Sequence, residues 1–264
     1  MQISLRGYMK AFNLEFVKTK NLLNKLNIVN ENDKIDNVMN EIFSNRKCIS
    51  ISFLNFHALN LSLNCSTMES SLIESDYLFR DGVGVEKLMK WSLIPPGLNM
   101  NGTDLIPNIL NYSMKKKRKV VLIGSEELNV KSCRHKLMKQ GVDVVVSVNG
   151  FLDESDYIDV LSELKGESLT IILGMGMPKQ ELFSIKVKTH FFNEDFVIVS
   201  GGAIIDRLSG KVNRGPRFLV NNNLEWLYRF YSEPKRLFNR IVIGGGRFLF
   251  FAIRFSIKSR ALAQ

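Results

Sequence analysis

Cysteine is scarce. Cys48, Cys65 and Cys133 are the only three in 264 residues, scattered and without a CxxC pair. An odd, dispersed set excludes a disulfide framework and a zinc site as organising devices, and it fits a reducing cytosol. Histidine is equally thin, with His57, His135 and His190 far apart. No run of 18 apolar residues occurs, so an ordinary membrane span is not expected. The N-terminus has no compact apolar region, so no export signal is expected. Complete nucleotide motifs are missing as well. The glycine-rich turn at 174–179 reads GxGxPK, which is neither GxGxxG nor a P-loop. No DxD pair stands where a metal-bridged diphosphate would be held; DESD at Asp153 reads instead as a helix-capping pattern.

What is present is an ordinary globular composition with an excess of positive charge. Apolar residues make up 45% and charged residues 23%, enough for a core and too few charges for disorder. Thirty-six basic against twenty-six acidic side chains give +10, which calls for a polyanionic partner: nucleic acid, an anionic membrane or a phosphorylated substrate.

Along the chain, residues 1–30 read as helical or loosely ordered. Asp36–Asn45 has helical apolar spacing, and Cys48–Asn55 reads as a buried strand. A second buried strand is expected at Lys119–Ser125, and further strands at Val142–Gly150, Ser168–Gly176 and Asp195–Gly202, each separated from the next by a helical pattern. Thr103 or Asp104 is expected to cap the helix that follows residue 101. Strands alternating with helices imply α/β architecture: a Rossmann-like, mostly parallel sheet with helices on both faces. The expected division is a catalytic domain over 1–211 and a basic, aromatic helical appendage over 212–264.

The stretch TIILGMGMPKQELF, Thr170–Phe183, reads strand, glycine turn, helix. Gly174 and Gly176 allow close backbone approach, and a helix start offers unpaired N–H groups and a positive dipole end, which together suit a diphosphate. The other reading is a tight turn that binds nothing. Gln180 and Glu181 fall in the first helical turn, where Glu181 could simply complement the dipole. A second glycine turn, Gly201–Gly202, ends the last strand with Asp206 just beyond. Open α/β sheets bind ligands at that edge.

Several pieces, in this order, carry a family likeness: RDGVGV, NGTDL, VLIGS, VNGF, LGMGMPKQE, VSGGAIIDRLSGKVNRGPRFL and LEWLYRFYSEPKR. Over about residues 36–240 the chain resembles the WecG/TagA/CpsF glycosyltransferases, family 26. The resemblance implies transfer of a sugar from a UDP-sugar, often UDP-N-acetylmannosamine, to a polyprenyl-diphosphate-linked sugar, with inversion and with no metal or cofactor. It implies Asp81 as general base, where the residues alone read as a turn aspartate before Gly82. It puts Asn55 near the sugar (otherwise a strand-end cap), Gln180 near the donor, Phe151 beside the uracil (otherwise core packing) and Asp206 near the nucleoside. Gly174, Gly176, Gly201 and Gly202 then face the donor, and Arg214, Arg217 and Arg229 are candidates to neutralise the leaving group. The chain departs from some relatives at Phe53 and Asn99, on the expected acceptor side.

In the tail, Arg240, Arg247 and Arg254 recur every seven residues, with Arg236 and Lys258 four residues outside that series. On a helix all five form one stripe beside an apolar remainder, which suits a helix in the membrane interface. The other reading is a helix packed on the protein's own core or on another subunit; Gly244–Gly246 could break it in two. The expected location is therefore peripheral, on the cytoplasmic face of the cell membrane, and the chain is compatible with a homo-oligomer. KKKRK at 115–119 directly precedes a strand and reads as a solvated turn. A nucleic-acid-binding protein and a dinucleotide-dependent oxidoreductase are the competing readings. The first lacks any binding motif, so no nucleic-acid partner is expected, and the second lacks the third glycine.

Overall fold

The computed structural model describes residues 5–221 and 224–262. Parts of the segments assigned above to the N-terminus and the tail, residues 1–4, 222–223 and 263–264, lie outside the described residues. Six strands form one sheet: β1 (Ile49–Leu54), β2 (Tyr77–Arg80), β3 (Lys119–Gly124), β4 (Val144–Val148), β5 (Leu169–Gly174) and β6 (Phe196–Ser200), in the order β2-β1-β6-β5-β3-β4. Every pairing is parallel.

Helices α1 (Leu5–Lys25) and α2 (Asp33–Ser44) precede the sheet. Helices α3 (Phe56–Asn64) and α4 (Ser66–Glu74) join β1 to β2, and α5 (Gly82–Trp91) and α6 (Gly102–Lys115) join β2 to β3. Helices α7 (Glu127–Lys139), α8 (Glu154–Ser162) and α9 (Lys179–His190) fill the next three crossovers. After β6 come α10 (Ile204–Leu208), α11 (Arg217–Asn221), α12 (Glu225–Ser232) and α13 (Pro234–Phe238), then a π-helical turn (Asn239–Ile243) and α14 (Gly244–Ala261).

Alternation along the strands sends side chains to two cores. Ile51, Phe53, Val120, Leu122, Ile172 and Val199 pack with α2, α6, α7 and α10 on one face. Val121, Ile123, Ile171, Leu173 and Ile198 pack with α8 and α9 on the other. A third cluster gathers α1, α3, α4, α5 and α14 around Leu54 and Leu78. Helix α14 is therefore fastened to the body. Phe248, Phe251 and Phe255 are buried there, and each contributes about 2 kcal/mol on burial. Asn60 Nδ2 also donates to the Gly244 carbonyl at 2.8 Å, and Arg260 Nε to that of Trp91 at 2.6 Å.

Several local expectations change. The glycines at 244–246 do not break the tail, because helical turns continue from Pro234 to Ala261. Helix α6 is capped by neither Thr103 nor Asp104: Asn101 Oδ1 accepts the Asp104 N–H at 3.0 Å. KKKRK is solvated only in part. Arg118 is buried, paired with Asp195 at 2.6 Å and donating to the Leu169 and Asp195 carbonyls at 2.7 Å. The capping pattern at Asp153 is present as a reciprocal box with Asp156.

Candidate active site

The turns after β1, β2, β5 and β6 open on one edge of the sheet, where a cavity of about 1120 Å³ lies beneath α13, the π-turn and the start of α14. A smaller cavity of about 410 Å³ adjoins it, lined among others by Gly82, Asn99, Asn101 and Trp226. Asn55, Asp81, Thr103, Arg229, Leu237 and Arg240 border both.

Asp81 ends β2, and its N–H extends the ladder to the Leu54 carbonyl at 2.9 Å. It occupies the N-cap position of α5 yet its side chain makes no cap hydrogen bond, while the Gly82 N–H donates to Asn99 Oδ1 at 2.9 Å. The carboxylate is thereby left for other work. Asn55 does cap its helix: its Oδ1 accepts from the His57 and Ala58 N–H groups, each at 3.0 Å. Capping fixes the amide orientation, so Nδ2 is the end that donates to Asp81 Oδ2, at 3.1 Å. Burial pushes the Asp81 pKa above its ordinary value, opposed by the Asn55 hydrogen bond and the Arg240 charge. Burial and Arg240 hold His57 down to about 4, so its imidazole is neutral at pH 7.

The two glycine turns are joined by one side chain. Gln180 Oε1 accepts from the Gly176 N–H at 3.2 Å and the Gly202 N–H at 3.0 Å. Its Nε2 donates to Glu181 Oε1 at 2.8 Å. The N–H groups of Gly176 and Gly202, expected to face a diphosphate, are thus occupied within the protein, and fully buried Gln180 acts as their clamp. Glu181 is also buried rather than complementing the dipole from solvent; burial raises its pKa to about 7, and its Oε2 has no hydrogen-bond partner. Gly174 packs against Ile205 and Gly201 against Ile204 and Ile106, so both serve close packing while Gly201 also borders the cavity.

Positive charge concentrates on the cavity. Arg207, Arg229, Arg236, Arg240, Arg247 and Arg254 line it against two carboxylates, Asp81 and Glu15. Arg229 Nε and Arg207 Nη1 are buried without hydrogen-bond partners. Burial lowers the pKa of Arg229 and of Arg240, with neighbouring arginines adding to the effect. Under-compensated buried guanidinium groups mark a place that anions stabilise.

Other expected residues stand elsewhere. Phe151 is not core packing: it is 76% exposed at the end of β4, next to Gly150, whose carbonyl accepts from Lys179 Nζ at 3.0 Å. Asp206 accepts from Ser125 in the turn after β3 and from Asn129 in the first turn of α7, and it is not on either cavity wall. Arg214 borders the smaller cavity, where it is engaged by Asp104, at 2.8 Å through Nη2, and by Glu225 at 3.1 Å. Arg217 is exposed and borders neither cavity. Of the tail's five basic residues, four line the large cavity, whereas Lys258 lies over the Phe16 ring at 4.5 Å and donates to Asn13 at 2.6 Å. The outer face of α14 is apolar instead, with Leu249, Phe250, Ile253 and Ile257 exposed. Sequence reasoning missed His57 and Arg207. Nothing in the local pattern marks His57, and Arg207 was overshadowed by Asp206 beside it. Among the described residues no group of three or more His, Cys, Asp or Glu side chains could hold a metal ion.

Residues 21–262 match the Glycosyl transferase WecG/TagA/CpsF family. A 171-residue stretch is 26% identical to the N-acetylglucosaminyldiphosphoundecaprenol N-acetyl-beta-D-mannosaminyltransferase of Bacillus spizizenii strain W23, covering 64% of this chain and 65% of the relative. The protein of the same name from Bacillus subtilis strain 168 is 25% identical over 167 residues, 62% of this chain and 64% of the relative. The matched stretch thus spans less than two thirds of the length of either relative.

Proposed function

We propose, from the premise that this chain belongs to the WecG/TagA/CpsF glycosyltransferase family, that it transfers a sugar from a UDP-sugar to a polyprenyl-diphosphate-linked sugar in cell-envelope or exopolysaccharide synthesis. The two relatives are named for transfer of N-acetylmannosamine to N-acetylglucosaminyldiphosphoundecaprenol, which makes that donor and acceptor the first pair to try. The observation that carries the reading is Asp81. It is a carboxylate with a raised pKa, freed from capping, oriented by Asn55 and set on the border of an arginine-lined cavity.

Ionised Asp81 takes the proton from the attacking hydroxyl of the acceptor as that oxygen bonds to the anomeric carbon. The bond to UDP breaks on the opposite side of the carbon, and the configuration inverts. Arg229 and Arg240, with Arg207 and Arg236, neutralise the diphosphate as charge builds on it, so a metal is not required for that task. The clamp made by Gln180 keeps the two glycine turns in register around the donor. Exposed Phe151 offers a face on which the uracil stacks.

The exposed apolar face of α14 settles into the interface of the cytoplasmic leaflet, alongside Val242 and Ile243. No helix of the described residues is long and apolar enough to cross a membrane.

The test is UDP release from a panel of UDP-sugars with polyprenyl-diphosphate-sugar acceptors, with and without a chelator. Release that requires acceptor and survives chelation is expected. Absence of release with every pair, together with no UDP binding by calorimetry, would overturn the reading.

A further inference from the structure

One UDP-sugar does not account for this cavity. Its volume of about 1120 Å³ lies above the roughly 300–1,000 Å³ usual for a single small ligand. Its six arginines come from five elements; Arg207 pairs with Glu225 and Arg236 with Glu233, and the Arg254 charge acts on Glu15, so the positive charge is partly offset and spread along the cavity rather than gathered at one point.

The arginines also divide by place. Arg207, Arg229, Arg236 and Arg240 come from α10, α12, α13 and the π-turn; Arg240 acts electrostatically on Asp81, and Arg207 on Arg229. Arg247 and Arg254 come from α14, where the cavity wall is completed by α1 and α3 through Glu15, Asn60 and Asn64. Seven helical residues separate Arg240, Arg247 and Arg254, a rise of about 10 Å per step, so Arg247 and Arg254 stand progressively farther along the helix from Arg240, the one of the three that acts on Asp81. Arg254 lies 3.9 Å over the Phe12 ring and 5.7 Å from that of Phe250. Phe250 and Phe251 border the cavity beside it, and Phe250 is 60% exposed at the edge of the outer apolar face of α14. A cationic pair with an apolar exit next to it fits a diphosphate carrying an isoprenoid. Of this wall only Glu15, with Phe12 behind Arg254, precedes the span of the family match, which begins at residue 21.

We infer that Arg247 and Arg254 form a second anion subsite, which holds the diphosphate of the lipid-linked acceptor while Arg229 and Arg240 hold that of the donor. The assignment of the ligand rests on the transfer reading given above. One sugar ring separates the acceptor's reacting hydroxyl from its own diphosphate. With that hydroxyl at Asp81, the diphosphate extends along α14 from Arg240 toward Arg247 and Arg254. The isoprenoid then leaves past Phe250 to the membrane.

The experiment measures calorimetric binding of geranyl diphosphate-linked N-acetylglucosamine, a water-soluble acceptor, in the absence of lipid. The full chain is compared with Arg247→Gln, Arg254→Gln and Arg254→Lys, and UDP binding is measured on each. Expected is a loss of acceptor affinity on the order of tenfold for each Gln variant, partial recovery in Arg254→Lys, and UDP affinity unchanged within about twofold, close to the scatter of neutral substitutions. Arg254→Lys also guards against misfolding, since lysine can keep the charge over Phe12. Unchanged acceptor affinity in both Gln variants would overturn the subsite, and so would a loss confined to vesicle-bound acceptor, which would assign the arginines to lipid headgroups. A loss of UDP affinity instead would assign them to the donor. Transfer activity is scored separately. Arginine-dependent acceptor binding without transfer would count against the base reading of Asp81 and leave the subsite standing.

Discussion

At the scale of single residues, two carboxylates have opposite assignments. In the proposed reaction Asp81 works ionised, and its raised pKa would place the onset of activity above the ordinary aspartate range. As pH falls through that pKa the base is protonated, so kcat/KM is expected to fall on the acid side. Asp81→Asn should retain UDP binding and lose transfer by on the order of 10²–10⁴-fold. Equal activity in the variant would remove Asp81 from the role. Glu181 reads through stability instead. Its folded pKa, about 7, lies above the ordinary value of 4.5, so the native state holds the proton more tightly than the unfolded chain. Stability from this group is full below about pH 4.5, declines as pH rises toward 7 and levels above it. The whole shift corresponds to about 3 kcal/mol. Urea unfolding at pH 5 and pH 8 should show wild type losing stability across that interval relative to Glu181→Gln; parallel curves would refute the assignment.

At the scale of elements, the carboxyl edge depends on backbones meeting closely. Gly124, with φ of +144°, faces the backbone of Gly174 so tightly that an added Cβ would lie 2.4 Å from its carbonyl carbon. Neither partner can yield as a flexible side chain would. Gly124→Ala should therefore cost at least about 2 kcal/mol, by overpacking and by strain in φ, measured as a lower Tm. Such tightness is not visible in the sequence, where Gly124 is merely the last residue of a strand. Strands β1, β3, β4, β5 and β6 were legible from their β-branched, apolar runs. Strand β2 is absent from the expected strands, because four residues give too little alternation and its pairing with β1 defines it. The cap of α6 was missed because Asn101, Thr103 and Asp104 are all good cap formers, and chain entry decides among them.

At the scale of the molecule, the proposed function gives the tail two tasks on two faces. Its basic stripe was legible as a stripe, but the partner facing it was not. Packing of Phe248, Phe251 and Phe255 onto the body turns Arg247 and Arg254 toward the cavity and leaves Leu249, Ile253 and Ile257 outward. Removing the whole tail would strip Arg240 from the site and uncover a core cluster, so a surface variant tests membrane contact more cleanly. Combined Leu249→Ser, Ile253→Ser and Ile257→Ser should weaken sedimentation with anionic vesicles by tenfold or more, roughly as expected from partial loss of three buried apolar side chains. Transfer to a water-soluble acceptor should persist. Undiminished vesicle binding would place the contact elsewhere.

By itself the sequence determined the α/β class, the glycine turns at the carboxyl edge, the family likeness and the candidacy of Asp81, because each is written in local pattern or in short ordered motifs. Only the tertiary structure decided that the N–H groups of Gly176 and Gly202 are closed off by Gln180, that Arg214 is bound to Asp104 and Glu225, and that Arg236, Arg240, Arg247 and Arg254 of the tail line one cavity with Asp81. These facts join residues far apart in the chain, and which of several cations meets which of several anions is fixed by how α14 packs rather than by any spacing along it.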